Sequence, residues 1–402
     1  MALWFETARH EPLAATAWSE TTARDAIARI AGDALRSFTR DDLWPAHTLD
    51  YADPALARPV TLYDGAGGVI WALQYLHRVG AIDADFDFGP TVATLVERNR
   101  AVIYSCEDAH GSYLSGDTGL LLLQWQAMRD RALADRLFAC IEANMHHKSL
   151  EALWGAPGSL IATLHMAEAT GEQRWRDQLA RGLRIVWDAM VYDGPIGAWL
   201  WVQDMYDMHT RYLGAGHGFA GNIFAVLRGA ALLPMELVDG YCARALHTLS
   251  ATAVRDGPCV NWPPLQEPTG IPSKKWLLQD CHGAPGIVCR LADAPRTQAW
   301  DALLLAGGEA TWRAGPLEKG VGLCHGTAGN GYALLKLWQR SGNPVWLDRA
   351  RAFAMHAIEQ VQRFAERTGQ TRHSLWTGDI GVALFAWSCI SGDARFPTLD
   401  VF

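Results

Sequence analysis

The sequence predicts an all-α protein in which seven helix hairpins close into an α/α toroid with an inner and an outer ring of helices. Three observations support this fold class. A short glycine motif recurs seven times, each copy opens an apolar stretch, and a longer amphipathic segment precedes each copy. Strands would be indicated by short runs of alternating apolar and polar residues bounded by hairpin turns, and such signals are weak in this sequence.

The repeated motif is Gly-x-x-Gly at the start of an apolar run, which we interpret as a buried inner helix. Its first glycines are Gly65, Gly116, Gly155, Gly218, Gly283, Gly326 and Gly378. One such motif would mean little, whereas seven indicate an internal repeat. Two glycines three residues apart let the chain turn sharply and let neighbouring helices approach closely.

The amphipathic segments between the motifs have apolar residues at helical spacing and charges on the opposite face, which predicts an outer ring of helices. These segments are 20–38, 90–104, 131–147, 173–190, 235–255, 297–313 and 343–367. An open solenoid would have the same repeats, but it would need polar capping units at its ends. Because the last unit is as apolar as the middle ones, we expect a closed toroid that forms one domain over residues 1–402.

Composition narrows the classes of function. Half of the residues are hydrophobic, and 35 Lys and Arg against 43 Asp and Glu give a net charge of −8, which argues against a general affinity for nucleic acid or anionic lipid. The first residues lack a secretion signal, and no apolar run reaches the ~18 residues of a membrane helix. Eight cysteines without a CxxC pair fit a reducing compartment, so we expect a cytoplasmic protein.

The residue before the first glycine occupies an equivalent position in every repeat. This position holds Asp64, Ser115, Trp154, His217, His282, His325 and Thr377. Cysteine precedes the histidine in two units, at Cys281 and Cys324. If the repeats are equivalent, these side chains gather around the axis at one end of the ring, where helix N-termini favour the thiolate form.

Two thiolates and an imidazole are good ligands for Zn²⁺, and three protein ligands with an open fourth position are typical of a catalytic zinc site. A closed set of Cys281, His282, Cys324 and His325 would be a structural site instead, and spacing does not decide between the two. The remaining cysteines of the helical repeats are interpreted as small buried hydrophobic residues. These are Cys140, Cys242, Cys289 and Cys389.

The motifs "CHGAPG" and "CHGTAGNGY", with "GHGFAG" upstream, resemble those of the LanC-like family, the lanthionine synthetase cyclases and their stand-alone relatives. The resemblance extends from "LYDGAGGVIWAL" to the terminal "ARFP". It implies an α/α toroid with one zinc ion, and it implies the ligands Cys281, Cys324 and His325. It also implies that His217 is an acid/base residue.

Further residue roles follow more loosely from the same resemblance. Glu151 lies four residues before Gly155, where cyclases have an acidic residue implicated in activity. His282 follows the first cysteine without being counted as a ligand, and we expect it to contact substrate. Asp280 stands where relatives often have Trp, which places a negative charge near the metal.

The two longest connections precede His217 and Cys281, and they are rich in Trp, Tyr and Pro. Because loops at such a position commonly carry recognition, we expect Arg211, Lys274 and Lys275 to meet carboxylates of a peptide or of glutathione. Solvated surface charge is the alternative interpretation of these three cations.

The resemblance implies a zinc-dependent enzyme that adds a cysteine thiol to dehydroalanine or dehydrobutyrine and forms a thioether. Two substrates stay open: a dehydrated lanthipeptide precursor that is cyclised, or a dehydrated protein that is capped by glutathione. Because the seven units fill the chain, we expect a separate dehydratase or kinase/lyase to supply the dehydrated residue.

Two other classes of function are alternatives to a thioether-forming enzyme. A non-catalytic zinc- or glutathione-binding scaffold would keep the cysteines without turning over a substrate. A toroidal glycosidase or a terpenoid enzyme would need paired carboxylates or an Asp-rich motif at the mouth of the ring, and the sequence offers no convincing candidate for either.

Overall fold

The computed structural model describes residues 5–55, 57–101, 109–267 and 275–402. Its α-helices are α1 (Glu20–Ser37), α2 (Ala66–Arg78), α3 (Gly89–Val92), α4 (Leu95–Arg100), α5 (Asp117–Met128), α6 (Arg131–Asn144), α7 (Ala156–Thr170), α8 (Gln173–Asp188), α9 (Phe219–Arg228), α10 (Met235–Thr252), α11 (Ala284–Leu291), α12 (Gln298–Ala314), α13 (Thr327–Ser341), α14 (Pro344–Thr368) and α15 (Asp379–Ser391). Among these described helices, none combines the length and the apolar character that a membrane span requires.

The inner ring consists of the helices that begin directly after the first glycine of each motif, namely α2, α5, α7, α9, α11, α13 and α15. Each of these helices contacts the next one along the chain, and α15 contacts α2. The ring is therefore closed, and the predicted α/α toroid is confirmed.

The second glycine of each motif lets the preceding loop fold back over the first turn of its inner helix. At Gly286 an added Cβ would lie 1.6 Å from the carbonyl oxygen of Asp280, and at Gly329 it would lie 1.8 Å from that of Leu323. Any side chain at these positions would push the loop away, which explains why the motif needs glycine.

The outer helices follow the predicted segments closely. Helix α14 shows why, since the side chain of Asn343 accepts a hydrogen bond from the N–H of Val345 in its first turn, and Pro344 occupies the first helical position. Gly369 ends the helix in the left-handed conformation, with φ of 69°. The capping residues at both ends were thus visible in the sequence.

One outer helix differs from its prediction. The sequence predicts one helix over 90–104, but this segment contains the short helices α3 and α4, and residues 102–104 lie outside the described ranges. The N–H of Thr94 bonds to the carbonyl of Thr91, three residues back, at 2.9 Å. This tight turn replaces the α-helical bond to the fourth residue back and interrupts the helix.

Short antiparallel hairpins occupy the long connections, where strand signals in the sequence are weak. They pair β1 (Val191–Asp193) with β2 (Ala198–Leu200), β3 (Gln203–Met205) with β4 (Met208–Thr210), and β5 (Val254–Asp256) with β6 (Cys259–Asn261). Three-residue strands are too short to show a clear alternation of polar and apolar residues.

The segment 394–402 lies along the axis at the end opposite the glycine motifs. Phe396 and Thr398 are buried, and the hydroxyl of Tyr113 donates a hydrogen bond to the carbonyl of Thr398. Asp400 forms a buried ion pair with Lys336 of α13, with 2.7 Å between Oδ2 and Nζ. The core of the ring is therefore filled by this segment below the end that carries the motifs.

Candidate metal and catalytic site

A ring of backbone hydrogen bonds joins the loops that enter the inner helices. In these bonds the N–H of one loop donates to the carbonyl of the next, at 2.8 to 3.2 Å: Gly216 to Cys281, Cys281 to Cys324, Cys324 to Trp376, Trp376 to Tyr63, and Tyr63 to Leu114. All six residues stand two positions before the first glycine of their motifs. The equivalence of the repeats therefore brings Cys281 and Cys324 side by side.

The two thiols meet an imidazole at this point. Sγ of Cys281, Sγ of Cys324 and a ring nitrogen of His325 all lie within 4.8 Å of one another. Tetrahedral zinc bonded at its usual distances keeps such ligand atoms roughly 3.3 to 3.8 Å apart. Both cysteines are buried and His325 is half-buried, so the donor set and its spacing fit a zinc ion after only small movements.

The polar environment of the two thiols also suits a cation. Nε2 of Gln279 donates a hydrogen bond of 3.0 Å to Sγ of Cys281. The hydrogen bond from Cys324, together with that from Gln279, lowers the pKa of the Cys281 thiol despite its burial. The same hydrogen bond raises the pKa of Cys324, because it holds the proton on the Cys324 thiol, and burial and the charge of Cys281 raise it further. A metal ion between the sulfur atoms would stabilise both in the deprotonated form.

Glu151 holds His217 at the wall of the same cavity. Nδ1 of His217 lies 3.1 Å from Oε2 of Glu151, whose side chain is completely buried. Burial lowers the pKa of His217, but the hydrogen bond and the charge of Glu151, with a contribution from Cys324, outweigh burial and raise it above the usual value. The carboxylate thereby fixes the ring orientation and favours the protonated imidazole.

The carboxylate of Glu151 is itself fixed by three more donors. These are the hydroxyl of Ser149 at 3.1 Å, the N–H of Leu153 at 2.9 Å and the N–H of Trp154 at 2.6 Å. Leu150, between Ser149 and Glu151, has φ of 45°, a conformation that a leucine rarely adopts. The backbone of this loop is therefore locally strained, and in this conformation the carboxylate of Glu151 is directed toward His217.

An axial cavity of about 220 Å³ connects these groups. Its wall includes Cys281, Cys324, His325, His217 and His282. The ring centroids of His282 and His217 lie 6.0 Å apart. Burial lowers the pKa of His282 to about 3. The cavity thus presents a neutral imidazole beside one that is held by a carboxylate.

The predicted substrate-binding cations are less centrally placed than the histidines. Arg211 lies 3.6 Å from a carboxylate oxygen of Asp193, and it is not among the residues that line the cavity. Lys275 is exposed, yet it is close enough to contribute to the low pKa of His282. Lys274 lies outside the described residues.

Two features of the cavity were missed by sequence reasoning. Lys319, an exposed cation five residues before Cys324, lines the cavity, although it belongs to no motif that would have identified it. The charge of Asp280 is countered by Arg290, since Oδ2 of Asp280 lies 2.7 Å from Nη2 of Arg290. The expected negative charge near the metal site is therefore part of an ion pair that one isolated sequence does not reveal.

Comparisons with known proteins agree on the family and the fold. A family model described as lanthionine synthetase C-like protein matches residues 57–401. The glutathione S-transferase LANCL1 of Danio rerio is 28% identical over 379 residues, which are 88% of this chain and 87% of that protein. The LanC-like protein GCL1 of Arabidopsis thaliana is 31% identical over 269 residues, which are 63% of this chain and 58% of that protein.

A solved structure supports the architecture at low sequence identity. Nisin cyclase superposes with a TM-score of 0.64 and 14% identity, and the match covers 92% of this chain and 94% of that one. Similarity at this level of identity concerns the fold, so the arrangement of inner and outer helices is what the two proteins share.

Proposed function

The chain belongs to the lanthionine synthetase C-like family, and from this premise we propose that it adds a cysteine thiol to a dehydroalanine or dehydrobutyrine residue and forms a thioether. The observation that carries the proposal is that a possible metal site and a histidine held by a carboxylate lie around one cavity. Cys281, Cys324 and His325 form a possible metal site, and His217 is held by Glu151 on the wall of the same cavity.

The metal that fits the two thiols and the imidazole is zinc, which Cys281, Cys324 and His325 would hold with one coordination position left open. When bound, zinc lowers the pKa of a substrate thiol, so that the thiol is deprotonated at neutral pH. Gln279 would keep Cys281 in place by its hydrogen bond to Sγ.

The reaction balances without a further reactant. The sulfur lone pair of the substrate thiolate forms a bond to the β-carbon of the dehydro residue, and the π electrons of the Cα–Cβ double bond move to the α-carbon and its carbonyl as an enolate. A proton delivered to the α-carbon completes the addition, and it replaces the proton that the thiol lost. The product is a thioether with no leaving group.

His217 is the proposed source of that proton. Its Nδ1 is engaged by Glu151, which leaves Nε2 as the nitrogen available to a substrate. The raised pKa of His217 keeps a larger fraction of the imidazole protonated near neutral pH, as a general acid requires. His282, which is neutral and lies beside His217 in the cavity wall, is proposed to contact the substrate.

Glutathione is the thiol that the comparisons support best. The relative with 28% identity, whose match covers most of both chains, is named a glutathione S-transferase. Lys275 and Lys319 place positive charge near the cavity, where the carboxylates of glutathione would need it. In this proposal a separate dehydratase or kinase/lyase supplies the dehydrated protein, and the reaction takes place in the cytoplasm, where thiols stay reduced.

The test is incubation of the purified protein with a dehydroalanine peptide that also contains a cysteine, with and without glutathione, followed by mass spectrometry. A glutathione-sized mass gain supports the capping reaction. Cyclisation without a mass change, detected as loss of the free thiol, would make the protein a peptide cyclase instead. If the zinc-loaded protein binds glutathione but forms neither product, it is the non-catalytic binding or scaffold protein.

A variant links that test to the site. His217→Ala should retain zinc, because His217 is outside the possible metal triad, and it should lose addition activity. Unchanged turnover by His217→Ala would remove the proposed acid from the mechanism.

A further inference from the structure

Asp280 and Arg290 form a buried ion pair at the wall of the axial cavity. Asp280 belongs to the loop that carries Cys281, and Arg290 lies on α11, the inner helix that follows this loop. Their side chains are only 2% and 4% exposed, and both residues line the cavity. The pair therefore adjoins the possible metal site without belonging to it.

Each member of the pair keeps one polar atom without a partner. Within the described residues, neither Oδ1 of Asp280 nor Nη1 of Arg290 has a hydrogen-bond partner, although both atoms are buried. A buried ion pair is usually stable only when its remaining lone pairs and N–H groups are also bonded. One acceptor and one donor are thus left over in two residues that line the cavity.

The residues around the pair do not use these two atoms. Arg290 stacks against Phe396, with 4.3 Å from Cζ to the ring centroid, and the cavity wall nearby includes Phe224 and Leu399. These apolar neighbours offer no hydrogen bond, so both atoms stay without a partner among the described residues that surround them. If the pair served only to clamp the loop to α11, the bond between Oδ2 and Nη2 would be sufficient for that role.

We propose that Asp280 and Arg290 form a subsite for a peptide amide that flanks the substrate cysteine. In this subsite Oδ1 of Asp280 accepts a hydrogen bond from the amide N–H, and Nη1 of Arg290 donates one to an amide carbonyl. This inference rests on the proposed thiol addition and specifies which thiols the site prefers.

The chemistry of the pair selects an amide over a charged group. The pair has no net charge, and an amide offers one donor and one acceptor of its own. A carboxylate would satisfy Arg290 but be repelled by Asp280, and an ammonium group would satisfy Asp280 but be repelled by Arg290. Asp280 directly precedes Cys281, and both residues line the same cavity, so the subsite adjoins the possible metal site.

The subsite predicts discrimination between thiols. A cysteine within a peptide linkage, including the cysteine of glutathione, carries the amide groups, whereas a simple alkyl thiol does not. Sites with buried polar groups reject analogues that leave those groups unpaired. The wild type should therefore use N-acetylcysteine methylamide at least about tenfold better than propane-1-thiol, measured as kcat/KM with one dehydroalanine peptide.

The critical variant is the double substitution Asp280→Leu with Arg290→Met, which replaces the pair by apolar side chains of similar size and leaves no buried charge alone. Zinc content and circular dichroism check that it folds. The ratio of the two kcat/KM values should fall at least about fivefold, because the amide thiol loses its two hydrogen bonds. An unchanged ratio in a folded double variant overturns the subsite.

A second variant covers the case in which the double variant does not fold. Arg290→Lys keeps the charge and the ion pair with Asp280, but it lacks the second N–H₂ group that Nη1 provides. The ratio should fall in the same direction, and an unchanged ratio overturns the subsite here as well.

A binding measurement separates this inference from the proposed function. Calorimetry with N-acetylcysteine methylamide and propane-1-thiol needs no turnover, so it can be interpreted even if no thioether forms. Wild type that adds no thiol to any dehydro peptide would refute the proposed function alone. Equal preference for the amide thiol in wild type and double variant would refute the subsite alone.

Discussion

The carboxylate of Glu151 lies 3.1 Å from Nδ1 of His217 and joins two neighbouring repeats at the point where the ring of backbone hydrogen bonds is interrupted. The N–H of Leu153, which is the residue equivalent to Cys281 in its repeat, donates to Glu151 at 2.9 Å. Glu151 therefore has two roles, since it binds the loop of its own repeat and orients the histidine of the next.

Glu151→Gln should lower turnover about a hundredfold and change its dependence on pH. Glu151 supplies the interactions that raise the pKa of His217, so their loss leaves burial to lower it. If protonated His217 is the acid, activity declines as pH rises through this pKa, and the decline in the variant should begin at lower pH. The profile of kcat against pH measures the shift.

Glu168→Gln is the matched control for Glu151→Gln, since Glu168 is a partly exposed carboxylate that pairs with Arg228 away from the cavity wall formed by His217. It should leave the pH profile unchanged. A profile for Glu151→Gln that is reduced in height but has the same midpoint would contradict the coupling between Glu151 and the acid.

Cys324→Ala should abolish stoichiometric zinc binding, because one thiolate and one imidazole are a poor set of ligands for zinc. Metal analysis of the purified wild type should give about one zinc per chain. Cys389→Ala is the control, since Cys389 is also buried but lies within α15 and outside the triad. A folded wild type without zinc, or a Cys324→Ala variant that keeps it, would refute the metal site.

The repeat pattern was enough to predict the toroid and to gather Cys281, Cys324 and the histidines that follow them at one end of it, whereas the choice of His325 as the third ligand came from the family resemblance. The toroid and this gathering depend on periodic features, namely glycines at helix starts and apolar faces at helical spacing, which are local and leave a direct trace in the sequence. Because the repeats are equivalent, the place of a residue within its repeat predicts where it lies around the axis.

Features that depend on pairing between distant residues could not be predicted in this way. The ion pair of Asp280 with Arg290 requires knowledge of how α11 is rotated, and one sequence does not provide it. The interruption between α3 and α4 depends on one turn at Thr94 that amphipathic periodicity does not detect. The cavity position of Lys319 likewise follows from the path of a loop rather than from a motif.

Gly286→Ala should destabilise the fold by roughly 2 to 3 kcal/mol and weaken zinc binding. The new Cβ would lie 1.6 Å from the carbonyl oxygen of Asp280, so the loop that carries Cys281 must move. Gly194→Ala is the control, since a Cβ there meets no atom of the described residues within 4 Å. Chemical denaturation and a zinc-competition titration measure the two effects, and equal behaviour of the two variants would contradict the close packing of this loop.

His165 should make the fold sensitive to acid from the end of the ring opposite the possible metal site. Burial, with a smaller effect of the nearby Arg228, lowers the pKa of His165 to about 4, and its Nε2 lies 3.3 Å from the carbonyl oxygen of Thr398. In the unfolded chain the pKa is about 6.5, so the unfolded state takes up the proton first as pH falls. Neutral His165 therefore makes its full contribution to the free energy of unfolding above about pH 6.5. This contribution is lost progressively as the pH falls to about 4.

His165→Gln tests this linkage, because glutamine has an N–H₂ group that can donate to Thr398 but does not titrate. The free energy of unfolding of the wild type should fall by about 3 kcal/mol more than that of the variant between pH 6.5 and pH 4. Taking the difference between the two proteins cancels the contributions of other groups that titrate in the same range, such as His373, whose pKa burial also lowers to about 4. Parallel curves would mean that His165 already accepts a proton in the folded state, and the contact with the segment 394–402 would then have to open in acid.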